Sequence, residues 1–128
     1  MILDAGALIA VSRNDRAMIA RLVVAEQEDD ELRTHPMVVA QVWRDRGGRQ
    51  ATLARLLRGV EVVAIDDDLG RRCGELLGKA RTSDPIDAAV VLIASDSEAV
   101  VTSDPGDIGH LARAARRRLL IVRCKRTK

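Results

Sequence analysis

Apolar positions along the chain fall into short runs of two kinds, and the alternation between them predicts the elements. Met1 to Leu3 is a brief apolar run closed by Asp4, and Ala5 to Val11 reads as helix. Asn14 is placed to cap a second helix, in which Ala17, Met18, Ala20, Arg21, Val24 and Ala25 recur at helical spacing until the acidic stretch Glu26 to Glu31. After Pro36, Met37 to Val39 reads as a strand running into a helix through Ala40, Val42 and Trp43. Gly47-Gly48 breaks that helix, and Gln50 to Leu57 resumes it as far as Gly59. Val60 to Ile65 is β-branched and bounded by Gly59 and Asp66-Asp67-Asp68, the clearest strand of all. Helix follows over Leu69 to Ala80 and again over Asp84 to Ser95, the latter so apolar that it must be buried on most sides. Ala99 to Thr102 is strand, Ile108 to Arg117 helix, and Leu119 to Arg123 a last strand.

Strand and helix thus alternate from end to end. Such a chain predicts parallel strands joined by right-handed crossovers, an α/β fold in three layers with a central parallel sheet of four or five strands. The 128 residues suit one domain, 1–128, and no linker or low-complexity segment divides them. The longest wholly apolar run, Ala88 to Ala94, is far short of the ~20 residues that cross a bilayer. Asp4 interrupts the opening apolar run, so no secretory leader is expected. Cys73 and Cys124 make no disulfide framework and fit a reducing cytoplasm. The net charge of +2 conceals an asymmetry. From Ile108 onward there is no acid and eight bases, whereas the preceding residues carry an excess of six acids. A basic segment, 113–128, on an acidic body suits a polyanionic partner or a solvated helix face.

In an open parallel sheet, ligands bind outside the carboxyl ends of the strands, where the strand order reverses. Asp4 follows the first strand, Asp104 follows Ala99 to Thr102, and Asp87 lies in the first turn of the apolar helix. Asp84 and Asp107 stand one helical turn from Asp87 and Asp104, within a repeated S-D-P-x-D pattern, Ser83 to Asp87 and Ser103 to Asp107. Clustered carboxylates repel one another unless a cation neutralises them, and hard oxygen donors suit Mg²⁺ or Mn²⁺. The competing reading is structural, because Asp-Pro at a helix start is also an N-cap followed by proline at N1. Other chemistries fail. His35 and His110 have no ligand-spaced partner and read as surface or loop residues. Neither cysteine has a nearby histidine, and no phosphate-binding glycine loop is present. With no Phe or Tyr and a single Trp43, an aromatic platform for stacking bases is excluded.

Three segments carry a resemblance: Leu3-Asp4-Ala5-Gly6-Ala7-Leu8-Ile9-Ala10, Asp87-Ala88-Ala89-Val90-Val91-Leu92-Ile93-Ala94 and Val101-Thr102-Ser103-Asp104-Pro105-Gly106-Asp107-Ile108. In order and spacing they resemble the acidic motifs of PIN-domain ribonucleases, in particular VapC-type toxins of bacterial toxin–antitoxin pairs. The resemblance implies an α/β/α domain in which acids hold Mg²⁺ or Mn²⁺ and activate water to cleave single-stranded RNA. It makes Asp4, Asp87 and Asp104 metal ligands, with Asp107 a fourth catalytic acid next to Ile108 where the family has an aromatic. Gln41 stands where the family has a glutamate, one negative charge fewer, and Asp45 is a candidate to replace it. Gln41, Asp84 and Ser103 are expected to support the site from behind. Arg113, Arg116 and Arg117, at helical spacing, are expected to contact the RNA backbone. A VapB-type antitoxin docked near Val11, Leu22, Leu53 and Leu57, a homodimer, and a cytoplasmic location away from membranes complete the expectation. A binding module that keeps the antitoxin and lacks cleavage is the alternative.

Overall fold

In the computed structural model, which describes residues 1–125, the chain runs β1 (Ile2–Leu3), α1 (Ala5–Ser12), α2 (Arg16–Gln27), β2 (Leu32–Thr34), α3 (Pro36–Val42), α4 (Ala51–Leu57), β3 (Val60–Val62), α5 (Asp67–Ala80), α6 (Pro85–Ile93), β4 (Ala99–Thr102), α7 (Pro105–Ala114) and β5 (Leu120–Arg123). All strand pairs are parallel, in the order β3-β2-β1-β4-β5. From β1 the chain steps to β2 and on to β3, then crosses back over β1 to β4 and β5. Right-handed crossovers in opposite directions put their helices on opposite faces. Accordingly α1 packs with α2, α3 and α4, while α5, α6 and α7 pack with one another. This is the expected three-layer α/β/α fold with a five-stranded parallel sheet.

The core explains which segments became which. Ile2 and Leu3, Val100 and Val101, and Ala88 to Val91 of α6 are all at most 1% exposed, so the centre of the sheet and the crossover helix are sealed from water. β3 and β5 are the sheet edges, and there Val62 and Leu120 remain 43% and 62% exposed. No helix among the described residues is long and apolar enough to cross a membrane.

Several boundaries differ from the sequence reading. Met37 to Val39 is helix, not strand: His35 caps α3 by accepting the Met37 N–H on Nδ1 (3.3 Å), and Pro36 occupies the first turn. The strand lies earlier, at Leu32–Thr34, directly after the acidic stretch. Asp15, not Asn14, caps α2, accepting from the Met18 N–H (3.0 Å), while Asn14 takes a left-handed turn at φ 59°. The β-branched stretch from Val60 is strand only to Val62. α7 starts at Pro105 and stops at Ala114, and Arg116 is left-handed at φ 56°. The helical spacing expected of Arg113, Arg116 and Arg117 is therefore lost.

Candidate active site

The order reverses between β1 and β4, and the crevice at their carboxyl ends is where Asp4 and Asp104 emerge. Asp4 is 5% exposed and held at both oxygens: Oδ1 accepts the Ala5 N–H (2.8 Å) and Oδ2 the Thr102 hydroxyl (2.7 Å). That hydroxyl also accepts the Asp104 N–H (3.0 Å), so Thr102 ties together the two loops that leave the central strands. Burial pushes the Asp4 carboxyl above its ordinary range, more than the two hydrogen bonds pull it down, and Asp104 adds repulsion. The α1 helix can start this close because residue 6 is glycine. A Cβ there would meet Ser103 Cβ, Ser103 Oγ and Cys124 Sγ, each at 2.9 Å.

Asp87, in the first turn of α6, joins the same cluster from the opposite helical layer. Its carboxyl is pushed up to about 7, first by burial and then by the charges of Asp4, Asp84, Asp104 and Asp107. Four acids thus act on Asp87 at the switch point. Asp84 serves mainly as a cap, its Oδ1 accepting from Ile86 N–H (3.0 Å) and Asp87 N–H (3.2 Å). Asp104 sits in the equivalent place before α7, yet its side chain makes no cap hydrogen bond. Asp104, Asp107 and Ser103 line a cavity of about 640 Å³, whose other residues include Arg123, Cys124 and Lys125. Oxygen donors of this kind suit a hard divalent cation. Among the described residues, however, no three acidic, histidine or cysteine side chains stand close enough together to form a ready ligand set.

Two residues shape the site that sequence reasoning passed over. Thr102 read only as the end of a β-branched strand. His35 was expected at the surface but is fully buried. With Nδ1 accepting from Met37, its Nε2 carries the proton and donates to the Ile86 carbonyl (3.0 Å), one residue before Asp87. Burial holds the His35 pKa down, so the ring stays neutral beside Asp4. No match was found in comparisons of the chain with models of protein families, with curated proteins and with solved structures.

The remaining candidates are dispersed. Gln41 lies in the last turn of α3, exposed, its amide making no hydrogen bond within the described residues. Asp45, the candidate to replace the charge Gln41 lacks, lies beyond the helix, left-handed at φ 52°. Arg117 donates to the Ala94 carbonyl, a structural use. Arg113 is exposed at the end of α7 and Arg116 just past it. Val11, Leu22 and Leu53 are at most 2% exposed and pack in the core, while Leu57 is half-buried. Of the basic segment, Arg126 and Lys128 lie outside the described residues.

Proposed function

We propose that the chain is a divalent-metal-dependent endoribonuclease of the PIN-domain type, acting on single-stranded RNA as the toxin of a toxin–antitoxin pair. The observation that carries the reading is the crowding of Asp4, Asp84, Asp104 and Asp107 upon Asp87 at the topological switch point. Like charges gathered there raise the free energy of the empty cleft and lower it on entry of a cation. In this reading Asp4, Asp87 and Asp104, which do not stand as a ready ligand set, would close on Mg²⁺ or Mn²⁺, and the ion would polarise a phosphoryl oxygen and acidify water.

The chain's own groups supply the rest. Asp4, fixed by Thr102 and Ala5, is a rigid anionic anchor that needs no reorganisation. Asp87, titrating near neutrality, releases its proton when positive charge enters and can then accept one from an attacking water. His35 holds the first turn of α6, and with it Asp87, from below. The reading also gives the chain an antitoxin partner, a homodimeric assembly and a place in the cytoplasm. A second reading is a binding module of the same fold without cleavage, since Gln41 on α3, the helix after β2, carries an amide and no charge.

The test is cleavage of a single-stranded RNA by the purified chain in Mg²⁺ or Mn²⁺, with growth arrest on induced expression as its cellular counterpart. Cleavage should vanish with EDTA and fall roughly 10²-fold or more in Asp4→Asn or Asp87→Asn, the scale of losing one electrostatic stabiliser. Full-rate cleavage in EDTA would end the metal reading. Mn²⁺ binding without any cleavage would leave the binding module.

A further inference from the structure

The cavity beside the acids has a second wall of opposite sign. Arg123 ends β5, where the parallel register sets it next to Thr102, the residue whose hydroxyl holds Asp4. Lys125 follows two residues on, and both line the 640 Å³ cavity that Asp104 and Asp107 line. Both side chains are exposed, and neither forms a hydrogen bond or an ion pair within the described residues. Several other arginines are already engaged. Arg33 binds Glu98 (2.5 Å), Arg117 the Ala94 carbonyl, and Arg71 and Arg118 face Asp67 and Asp96. Arg123 and Lys125 also line a second depression of about 280 Å³, beside Asp15 and Arg21. They stand as a cationic ridge between two hollows, one of which opens on the carboxylates.

We propose that Arg123 and Lys125 form a binding site for the phosphodiester backbone of single-stranded RNA, holding consecutive phosphates across the cleft from Asp104 and Asp107. The proposal rests on the nuclease reading for its choice of ligand. The composition favours backbone over bases. With neither Phe nor Tyr in the chain, the aromatic stacking that holds single strands elsewhere is missing, and ionic contacts must supply the affinity. The carboxylates alone would repel RNA, so a nuclease cleft of this charge needs cations close by. Arginine can grip a phosphate with two parallel N–H donors, and lysine adds a mobile point charge. The sequence had put this role on Arg113, Arg116 and Arg117; the end of β5 is better placed, because it shares a cavity with the acids.

The test is fluorescence-anisotropy binding of a mixed-sequence single-stranded RNA 16-mer on an Asp87→Asn background, across a salt series. Each phosphate contact in a single strand contributes about 0.7 to the slope of log affinity against log salt. Arg123→Ala and Lys125→Ala should each flatten the slope by about 0.7 and weaken binding about 5-fold at 0.1 M salt, and the double variant about 25-fold. Arg118→Ala, which removes the same charge just before β5 begins, at the other end of the strand, should change neither. In the otherwise native chain the double variant should raise KM for cleavage and leave kcat within a few-fold. No binding by the parent, an unchanged slope in the double variant, or an equal loss in Arg118→Ala would each overturn the proposal. RNA binding lost in the double variant, with no cleavage by the native chain, would keep this site and remove the nuclease reading. Cleavage with unaltered KM would do the reverse.

Discussion

Replacing Asp87 by Asn keeps the shape of the first turn of α6 and removes the charge that burial and four neighbouring acids disfavour. A carboxyl that titrates at about 7 in the fold and at 3.8 in the unfolded chain binds a proton in the native state and not in the unfolded state between those values. The native state then holds more protons, so stability falls as pH rises through that window and stays low above it. At full strength the difference corresponds to about 4 kcal/mol. Asp87 is partly exposed, and solvent screening brings this nearer ~2 kcal/mol. The charge also gains about 0.5 kcal/mol from the α6 dipole, which Asn forfeits. Asp87→Asn should therefore stabilise the metal-free protein by ~1.5 kcal/mol at pH 8, or roughly 6 °C in Tm for a chain of this size. Near pH 4 the gain should vanish. Thermal melts of both proteins in EDTA from pH 4 to 8 provide the measurement, and taking the difference cancels the opposing titration of His35. A difference that is flat with pH, or a variant less stable at pH 8 than the native chain, would refute the crowding of Asp87.

Gly6→Ala should destabilise the protein by about 1–3 kcal/mol in urea unfolding, because its Cβ would press on Ser103 and Cys124 at 2.9 Å and neither short side chain can swing aside. A loss below ~0.5 kcal/mol would show that the loop after β4 yields freely. Gln41→Glu should leave Mn²⁺ affinity in isothermal titration within about 3-fold, because residue 41 is exposed in the last turn of α3 and bonds to none of the acids, whereas a carboxylate close to a cation would tighten binding by one to two orders of magnitude. Tightening on that scale would put Gln41 in the site.

The fold class was legible because it depends on the alternation of elements and on crossover handedness, neither of which needs accurate boundaries. Boundaries failed where local signals conflict. Val38 and Val39 favour strand, but Pro36 and the ring of His35 make a helix start, and one buried face over Val38 and Val42 then decides for helix. Leu32–Thr34 was invisible as a strand: three residues, one of them Arg33, carry no period. That arginine is tolerated because it reaches Glu98 and the Ile93 carbonyl, contacts 65 and 60 residues away in sequence. Asn14 and Asp15 are both good caps, and only the turn geometry after α1 separates them.

At the site, residue types were legible and their uses were not. The two S-D-P-x-D segments make the point. They are nearly identical locally, and each puts an aspartate before a proline at a helix start. Asp84 adopts an extended backbone, ψ 100°, and turns its carboxylate onto the N–H groups of its own helix. Asp104 has ψ 62°, gives its own N–H to the Thr102 hydroxyl, and leaves its helix uncapped by side chain. The difference lies in what precedes them. Asp84 follows a helix and has only local partners, whereas Asp104 leaves β4 directly beside Asp4, where Thr102 is already fixed. A cap to α7 would have contributed about 1 kcal/mol. Forgoing it keeps a carboxylate within reach of Asp4 and Asp87, where it adds repulsion. Positive charge in the cleft relieves that repulsion, as a divalent cation on the acids or as the phosphate-seeking cations on the wall opposite.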